Sequence, residues 1–254
     1  MNKLVVGIII AILSAILGGF FLIGNKSTPS SSPEPTLPQE STRTLDTTIR
    51  FNDPKKSAHY ESNTPEHGSV LVGVPINVVI NFNFDLAPPS SISIAMNGKE
   101  YGLDETIIDD NKLSMRRKMN PNSPDGVYTV NYNACWPDKT CHDGNFQFKI
   151  DRTQSSTYTD LTDKKEVTIN LENINFEPKN IRISKGTKIT WINQDEVDHY
   201  VNTESHPAHT YYPDQNSKAL KNGDQFSLVF NQTGIYPYHC SAHANTMMAS
   251  ILVE

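Results

Sequence analysis

The strongest constraint on this chain lies near its end, in Tyr236-Pro237-Tyr238-His239-Cys240-Ser241-Ala242-His243-Ala244-Asn245-Thr246-Met247-Met248, followed by Ala249-Ser250-Ile251-Leu252-Val253-Glu254. A thiol, an imidazole and a thioether follow one another as Cys240-x2-His243-x3-Met247, between an aromatic run and a closing apolar strand. One tight loop can carry all three only if two adjoining strands fix its ends. A second imidazole, His199, stands well upstream behind Trp191-Ile192-Asn193-Gln194-Asp195 and must reach the loop from another strand. Two His, one Cys and one Met at one end of a β-sandwich are the ligand set of a blue-copper electron-transfer site. A thiolate and two imidazoles in a near-trigonal plane, with a long weak thioether contact, hold both oxidation states in nearly one geometry. Little is then reorganised when an electron moves. The expected cofactor is one type 1 copper ion.

Composition frames the rest. With 254 residues, 37% of them hydrophobic, and 16 Pro, the chain is long enough for two small domains. A net charge of −6 argues against nucleic acid as a partner. No phosphate-cradling Gly loop, nucleophile elbow or metalloprotease helix motif appears, and the chain is not expected to be an enzyme. Short β-branched and aromatic runs between Asn, Asp, Gly and Pro turns read as all-β.

The N-terminus is directed to a membrane. Leu4 to Gly24 carries no charge and only Ser14 as a polar residue, about the length of a bilayer-spanning helix. It exceeds a typical signal-peptide core, and no clear cleavage site follows. Residues 1–24 are therefore expected to form an uncleaved single-pass anchor in the cytoplasmic membrane, with the remainder on the extracytoplasmic face. The Ser/Thr/Pro-rich stretch 25–47 cannot bury apolar area and reads as a disordered tether. A second polar stretch, 152–164, reads as a linker between domains at 48–151 and 165–254.

The last of these resembles a plastocyanin/amicyanin-type cupredoxin, a Greek-key sandwich. The resemblance is carried by Val167-Thr168-Ile169-Asn170, Ile174-Asn175-Phe176-Glu177-Pro178, Ile181-Arg182-Ile183, Gly186-Thr187-Lys188-Ile189-Thr190-Trp191 and Gly234-Ile235-Tyr236-Pro237-Tyr238-His239-Cys240. It implies ligand roles for His199, Cys240, His243 and one Met. Met248 gives the longer gap after His243 seen in plastocyanins. Met247 leaves a last strand of the right length and alternation, with Ile251 and Val253 inward and Ser250 and Glu254 outward. Met247 is the preferred axial ligand, Met248 the alternative. An unidentified redox protein is the implied partner, and Asp195, Glu196 and Asp198 are candidates for guiding its docking. The rival reading is an extracytoplasmic copper carrier or resistance protein.

The middle block alternates at strand period in Val78-Val79-Ile80-Asn81-Phe82, Gly126-Val127-Tyr128-Thr129-Val130 and Asn145-Phe146-Gln147-Phe148. It is similar to the CopC-type copper-resistance domain, an immunoglobulin-like sandwich. The matching residues are His59 to Ser69, Pro75 before Phe82, Asp125-Gly126-Val127-Tyr128-Thr129-Val130 and Gly144-Asn145-Phe146-Gln147-Phe148. That family's copper site uses an N-terminal His and an Asp-x-His, which would map onto His59 and Asp138. Thr140 stands where the second His belongs, so His142 is the nearest substitute for a second metal site.

Of the three Cys, Cys135 and Cys141 remain once Cys240 is assigned to copper. Outside the cytoplasm they are expected as a disulfide; a thiolate site with His142 is the alternative. His206 and His209 fall in a loop after His199. They leave two readings open, a second metal site or shield and a solvated polar loop. His239 precedes Cys240 and should point away from the copper.

Overall fold

The computed structural model describes residues 49–254. The expected anchor (1–24) and tether (25–47) lie outside the described residues. Among the described residues no helix is long and apolar enough to cross a membrane.

Two sandwiches follow one another. The first is built from β1 (Tyr60–Thr64), β2 (Val70–Leu71), β3 (Asn77–Phe82), β4 (Ser91–Met96), β5 (Lys99–Glu100), β6 (Gly102–Ile108), β7 (Ser114–Met119), β8 (Gly126–Cys135) and β9 (Cys141–Ile150). Its sheets run β1-β3-β7-β6 and β2-β9-β8-β4-β5. The period-2 pattern places Tyr128, Val130, Tyr132 and Ala134 of β8 in the core and turns Asn131 out to solvent. Cys135 and Cys141 are directly paired across β8 and β9 and are disulfide-bonded, as expected.

The second sandwich contains β10 (Thr159–Asp160), β11 (Glu166–Glu172), β12 (Asn175–Glu177), β13 (Asn180–Ile183), β14 (Lys188–Asn193), β15 (Asn202–Thr203), β16 (Gln225–Val229), β17 (Gly234–His239) and β18 (Met248–Val253). Its sheets run β12-β11-β14-β16 and β10-β13-β18-β17-β15. Val167, Ile169, Leu171, Ile181, Ile183, Ile189 and Trp191 alternate inward and meet Tyr236, Tyr238, Ile251 and Val253 in one core.

The stretch 152–164 joins the two sandwiches, as expected of a linker, and carries structure of its own. It forms a 3-10 turn at Arg152–Thr157 and then β10, which pairs parallel with β13. Leu161 packs on the second core, because an apolar side chain at the sheet edge gains by covering it.

The sandwiches are joined by more than the chain. Ile76 and Val79 of the first belong to the core of the second. Leu252 faces away from that core and packs with Ile235 against Val72. Ile235 N–H donates to Val74 C=O (2.9 Å). The hydroxyl of buried Tyr211 accepts from Ile76 N–H (2.9 Å) and donates to Ile235 C=O (2.7 Å). Gly234 sits at this seam with φ +142°, where a Cβ would lie 2.6 Å from Ile76 Cγ2 and 2.9 Å from Val74 O. The first sandwich can approach so closely only because no side chain is there.

Candidate metal centre

Cys240 leaves the end of β17, and β18 takes up the chain again at Met248. The intervening loop is held by Cys240 N–H to Met247 C=O (2.9 Å) and by Met247 N–H to His243 C=O (2.9 Å). A 3-10 turn at Ser241–His243 brings the His243 ring back over Cys240. His199 arrives from the segment after β14, bridged to Leu220 through reciprocal backbone bonds of 3.0 and 2.8 Å.

The three side chains converge. Cys240 Sγ lies 3.5 Å from His199 Nδ1 and 3.6 Å from His243 Nδ1, and the two rings are 5.2 Å apart. A metal–sulfur bond of about 2.3 Å and a metal–nitrogen bond of about 2.05 Å, at an angle between tetrahedral and trigonal, set sulfur and nitrogen about 3.5–3.8 Å apart. The donor atoms thus surround a space of the right size for one ion. His199 and Cys240 are fully buried, while His243 is partly exposed. Tyr200 N–H donates to the sulfur (3.3 Å) and helps fix its position. Met247 is buried in the same core as Cys240, whereas Met248 is 46% exposed.

Asp195 is set apart from Glu196 and Asp198 by its partners. Its carboxylate accepts from Asn173 N–H (2.8 Å), Ile174 N–H (2.9 Å) and His199 Nε2 (2.8 Å). Burial works against its ionised form, but the Ile174 and Asn173 N–H groups and His199 outweigh burial and hold the carboxyl below its usual range. Bonding at Nε2 fixes the His199 ring so that Nδ1 faces the sulfur. The loop itself is braced by Asn193, whose amide donates to Val197 and Leu220 C=O, both at 2.8 Å.

The second site expected in the first sandwich does not assemble. His59, Asp138 and His142 are absent from the clusters of converging donors among the described residues. Asp138 spends its carboxylate on the Thr140 N–H (2.9 Å) and hydroxyl (2.7 Å). His59 stacks on Phe84 and meets Trp136 edge-on, and His142 lies against Trp136 at 6.4 Å. His239 and the His206/His209 pair, by contrast, do come together, with His209 Nε2 and His239 Nε2 at 3.2 Å. Burial, together with His239 and His206, pushes His209 down to about 4. His206 is exposed and His209 half-buried, so the loop is in part solvated even though its two histidines meet His239.

Comparison with known proteins agrees with this architecture. The family model described as copper binding proteins of the plastocyanin/azurin family matches residues 163–254, and the CopC domain model matches residues 60–151. The chain carries a CopC domain followed by a plastocyanin/azurin-family domain. Amicyanin-alpha of Methylorubrum extorquens is 28% identical over 86 residues, covering 34% of this chain and 70% of that protein. Among solved structures, a Cu(I) form of an amicyanin variant is 22% identical, covers 36% of this chain and 84% of that one, and has a TM-score of 0.31. A purple cupredoxin from Nitrosopumilus maritimus is 27% identical, covers 35% and 99%, and has a TM-score of 0.29. The two copper-domain assignments make copper the metal this chain binds. The thiolate and imidazole donors of the plastocyanin/azurin-family domain are compatible with copper, and their spacing leaves room for an ion of that size.

Proposed function

We propose that the protein is a membrane-anchored type 1 copper protein that passes single electrons outside the cytoplasm. The observation that carries this reading is the buried Cys240 Sγ with two imidazole Nδ1 atoms at 3.5 and 3.6 Å. Copper held there supplies a one-electron Cu(II)/Cu(I) couple.

The residues around the site have the properties such a carrier needs. His199, Cys240 and His243 would hold the ion, and Met247, the buried one of the two methionines, would supply the weak thioether contact. Asp195 and the Tyr200 N–H fix the ligands before the ion arrives, so neither redox state requires them to move. Trp191, Tyr236 and Tyr238 are fully buried below the site and exclude water from that side. His243 is the partly exposed ligand, and its ring edge is the shortest route for an electron to a redox protein. An extracytoplasmic position is supported by the Cys135–Cys141 disulfide and by the CopC domain. Anchoring rests on the uncharged run Leu4 to Gly24.

The test is the absorption spectrum of the full-length protein with one equivalent of Cu(II). An intense blue, green or purple thiolate-to-copper band is expected, and Cys240→Ser should abolish it. A colourless protein with weakly held Cu(II) refutes the reading. The CopC domain favours a second reading, copper carriage. A carrier yields its copper readily to a competing chelator, whereas an electron carrier keeps it through repeated redox cycles.

A further inference from the structure

The plastocyanin/azurin-family domain contains a second group of converging donors. The nitrogens of His206, His209 and His239 lie within 4.8 Å of one another. We propose that these three histidines form a second transition-metal site, one that takes Zn(II) or Cu(II) through three imidazole nitrogens.

The spacing supports this. Two nitrogens on a tetrahedral ion at about 2.05 Å sit about 3.3 Å apart, and the ring centres, roughly 3.2 Å from the ion, sit about 5.2 Å apart. His209 Nε2 and His239 Nε2 are 3.2 Å apart. The three ring pairs are at 5.1, 5.3 and 5.4 Å. At the first centre, His199 and His243 stand at 5.2 Å. A hydrogen bond between His209 and His239 would explain two of these rings. It gives no reason for the third, His206, to face both.

The surroundings are built as metal sites are. His239 is 1% exposed and donates from Nδ1 to Glu204 Oε1 at 2.9 Å. A carboxylate there fixes the tautomer and leaves the Nε2 lone pair facing the cluster. Ser241 Oγ lies 3.2 Å from His209 Nε2 and gives its own proton to Asn202 Oδ1 (2.8 Å). The loop carrying His209 is pinned by Asn216, whose amide donates to His209 C=O (2.9 Å), and by His209 N–H to Ser205 C=O (2.8 Å). Ser205 is in turn bonded to Asn81 of the first sandwich. Three neutral nitrogen donors suit zinc and copper, with copper bound more tightly in the usual order of divalent ions. Three protein ligands leave a fourth position for water, the pattern of open rather than closed sites. His206, the exposed member, gives that position access to solvent.

The location gives the site its interest. His239 and Cys240 are consecutive, so one peptide unit joins the two metal sites. Successive residues of a strand point to opposite sides, which is why a thiol and an imidazole from neighbouring positions serve different clusters.

The site does not depend on the electron-transfer reading, and the test separates them. Full-length protein first loaded with one equivalent of Cu(II) is titrated with Zn(II) by calorimetry, and the metal is counted after desalting. One zinc is expected per chain. The double variant His206→Ala/His209→Ala should lose that zinc while keeping the colour of the first centre, which also reports that it has folded. Cys240→Ser, titrated with Zn(II) without prior copper loading, should keep the zinc, and loaded separately with Cu(II) it should lack the colour. His59→Ala/His142→Ala should keep both. Zinc retained in His206→Ala/His209→Ala, or no zinc bound by the unaltered protein, overturns the proposal. So does loss of the zinc in His59→Ala/His142→Ala, which would assign it to the CopC domain.

Discussion

Asp195 offers the most direct test of how the copper site is held. Its two oxygens receive three N–H groups: Oδ1 that of Asn173, Oδ2 those of Ile174 and His199. Asp195→Asn replaces one oxygen by an amide NH2, so a donor must face a donor in either orientation. The cheaper orientation turns the NH2 toward Asn173 and keeps an oxygen on His199. Asp195→Ala loses all three bonds and frees the ring. Removing the partner of a ligating His costs 10–100-fold in metal affinity, about 1.4–2.7 kcal/mol. The Asn variant belongs near the lower bound and the Ala variant near the upper. Copper affinity is measured by chelator competition at fixed pH, and thermal unfolding of the metal-free forms separates ligand positioning from folding. The sign of the pH effect is also set. A carboxyl held below its ordinary range adds stability that is complete above its unfolded value, about 3.9, and is lost as pH falls through the lower folded value. Asp195→Asn should therefore lower the neutral plateau of metal-free stability and shrink the fall toward acid, the two forms converging as pH drops below the folded value. Wild-type affinity and spectrum in both variants would refute the positioning role.

Burial distinguishes the two methionines: Met247→Leu should raise the reduction potential measured by voltammetry, and Met248→Leu should leave it nearly unchanged, with the reverse order assigning Met248 as axial. Thiol titration of unfolded metal-free protein should find one free thiol, Cys240, and three would exclude the Cys135–Cys141 bond. Tyr211→Phe removes the hydroxyl between Ile76 and Ile235 and leaves a buried N–H and a buried C=O unpaired, a cost of about 2–5 kcal/mol that denaturant unfolding should register; a loss below ~0.5 kcal/mol would mean that water replaces it.

What was legible in the sequence was what local spacing controls. Cys240, His243 and Met247 lie in one short loop, so their order along the chain already constrains their geometry. Strand alternation likewise showed that His239 must point away from Cys240. It could not show where His239 points, because His206 and His209 reach it from a different loop. The bond from Asp195 to His199 was not legible for a related reason. Three acidic residues in one turn look alike as charges, and only the fold shows that one of them meets the N–H groups of Asn173 and Ile174. The CopC-like site failed on chemistry that was partly visible: Thr140 in place of His leaves Asp138 to close its own turn. The polar stretch 152–164 was legible as the join between the domains but not as a turn and an edge strand, because polar composition describes an ordered surface as well as a linker. Nothing in the pattern around Tyr211 distinguishes a tyrosine that joins two domains from one that fills a core.

That junction bears on why a CopC domain precedes a plastocyanin/azurin-family domain in one chain. The contact does not merely tether. Ile76 and Val79 complete the core beneath the metal-binding sheet; in the loop that leads from His199 toward β16, Tyr211 bonds Ile76, and Asn77, Asn81 and Arg116 of the first sandwich bond that loop in turn. A long loop between a ligand and the next strand is ordinarily the mobile part of such a domain. Here Arg116 holds Thr210 C=O at 2.9 Å and Asn77 holds Tyr211 C=O at 2.8 Å, so the loop is fixed from outside its own sandwich. The same segment carries His206 and His209. Rigidity supplied by the CopC domain therefore reaches the three-histidine cluster through the loop, and His199 through the chain that precedes it. Separating the domains should loosen the loop before it disturbs Cys240, whose position is set by β17 and β18.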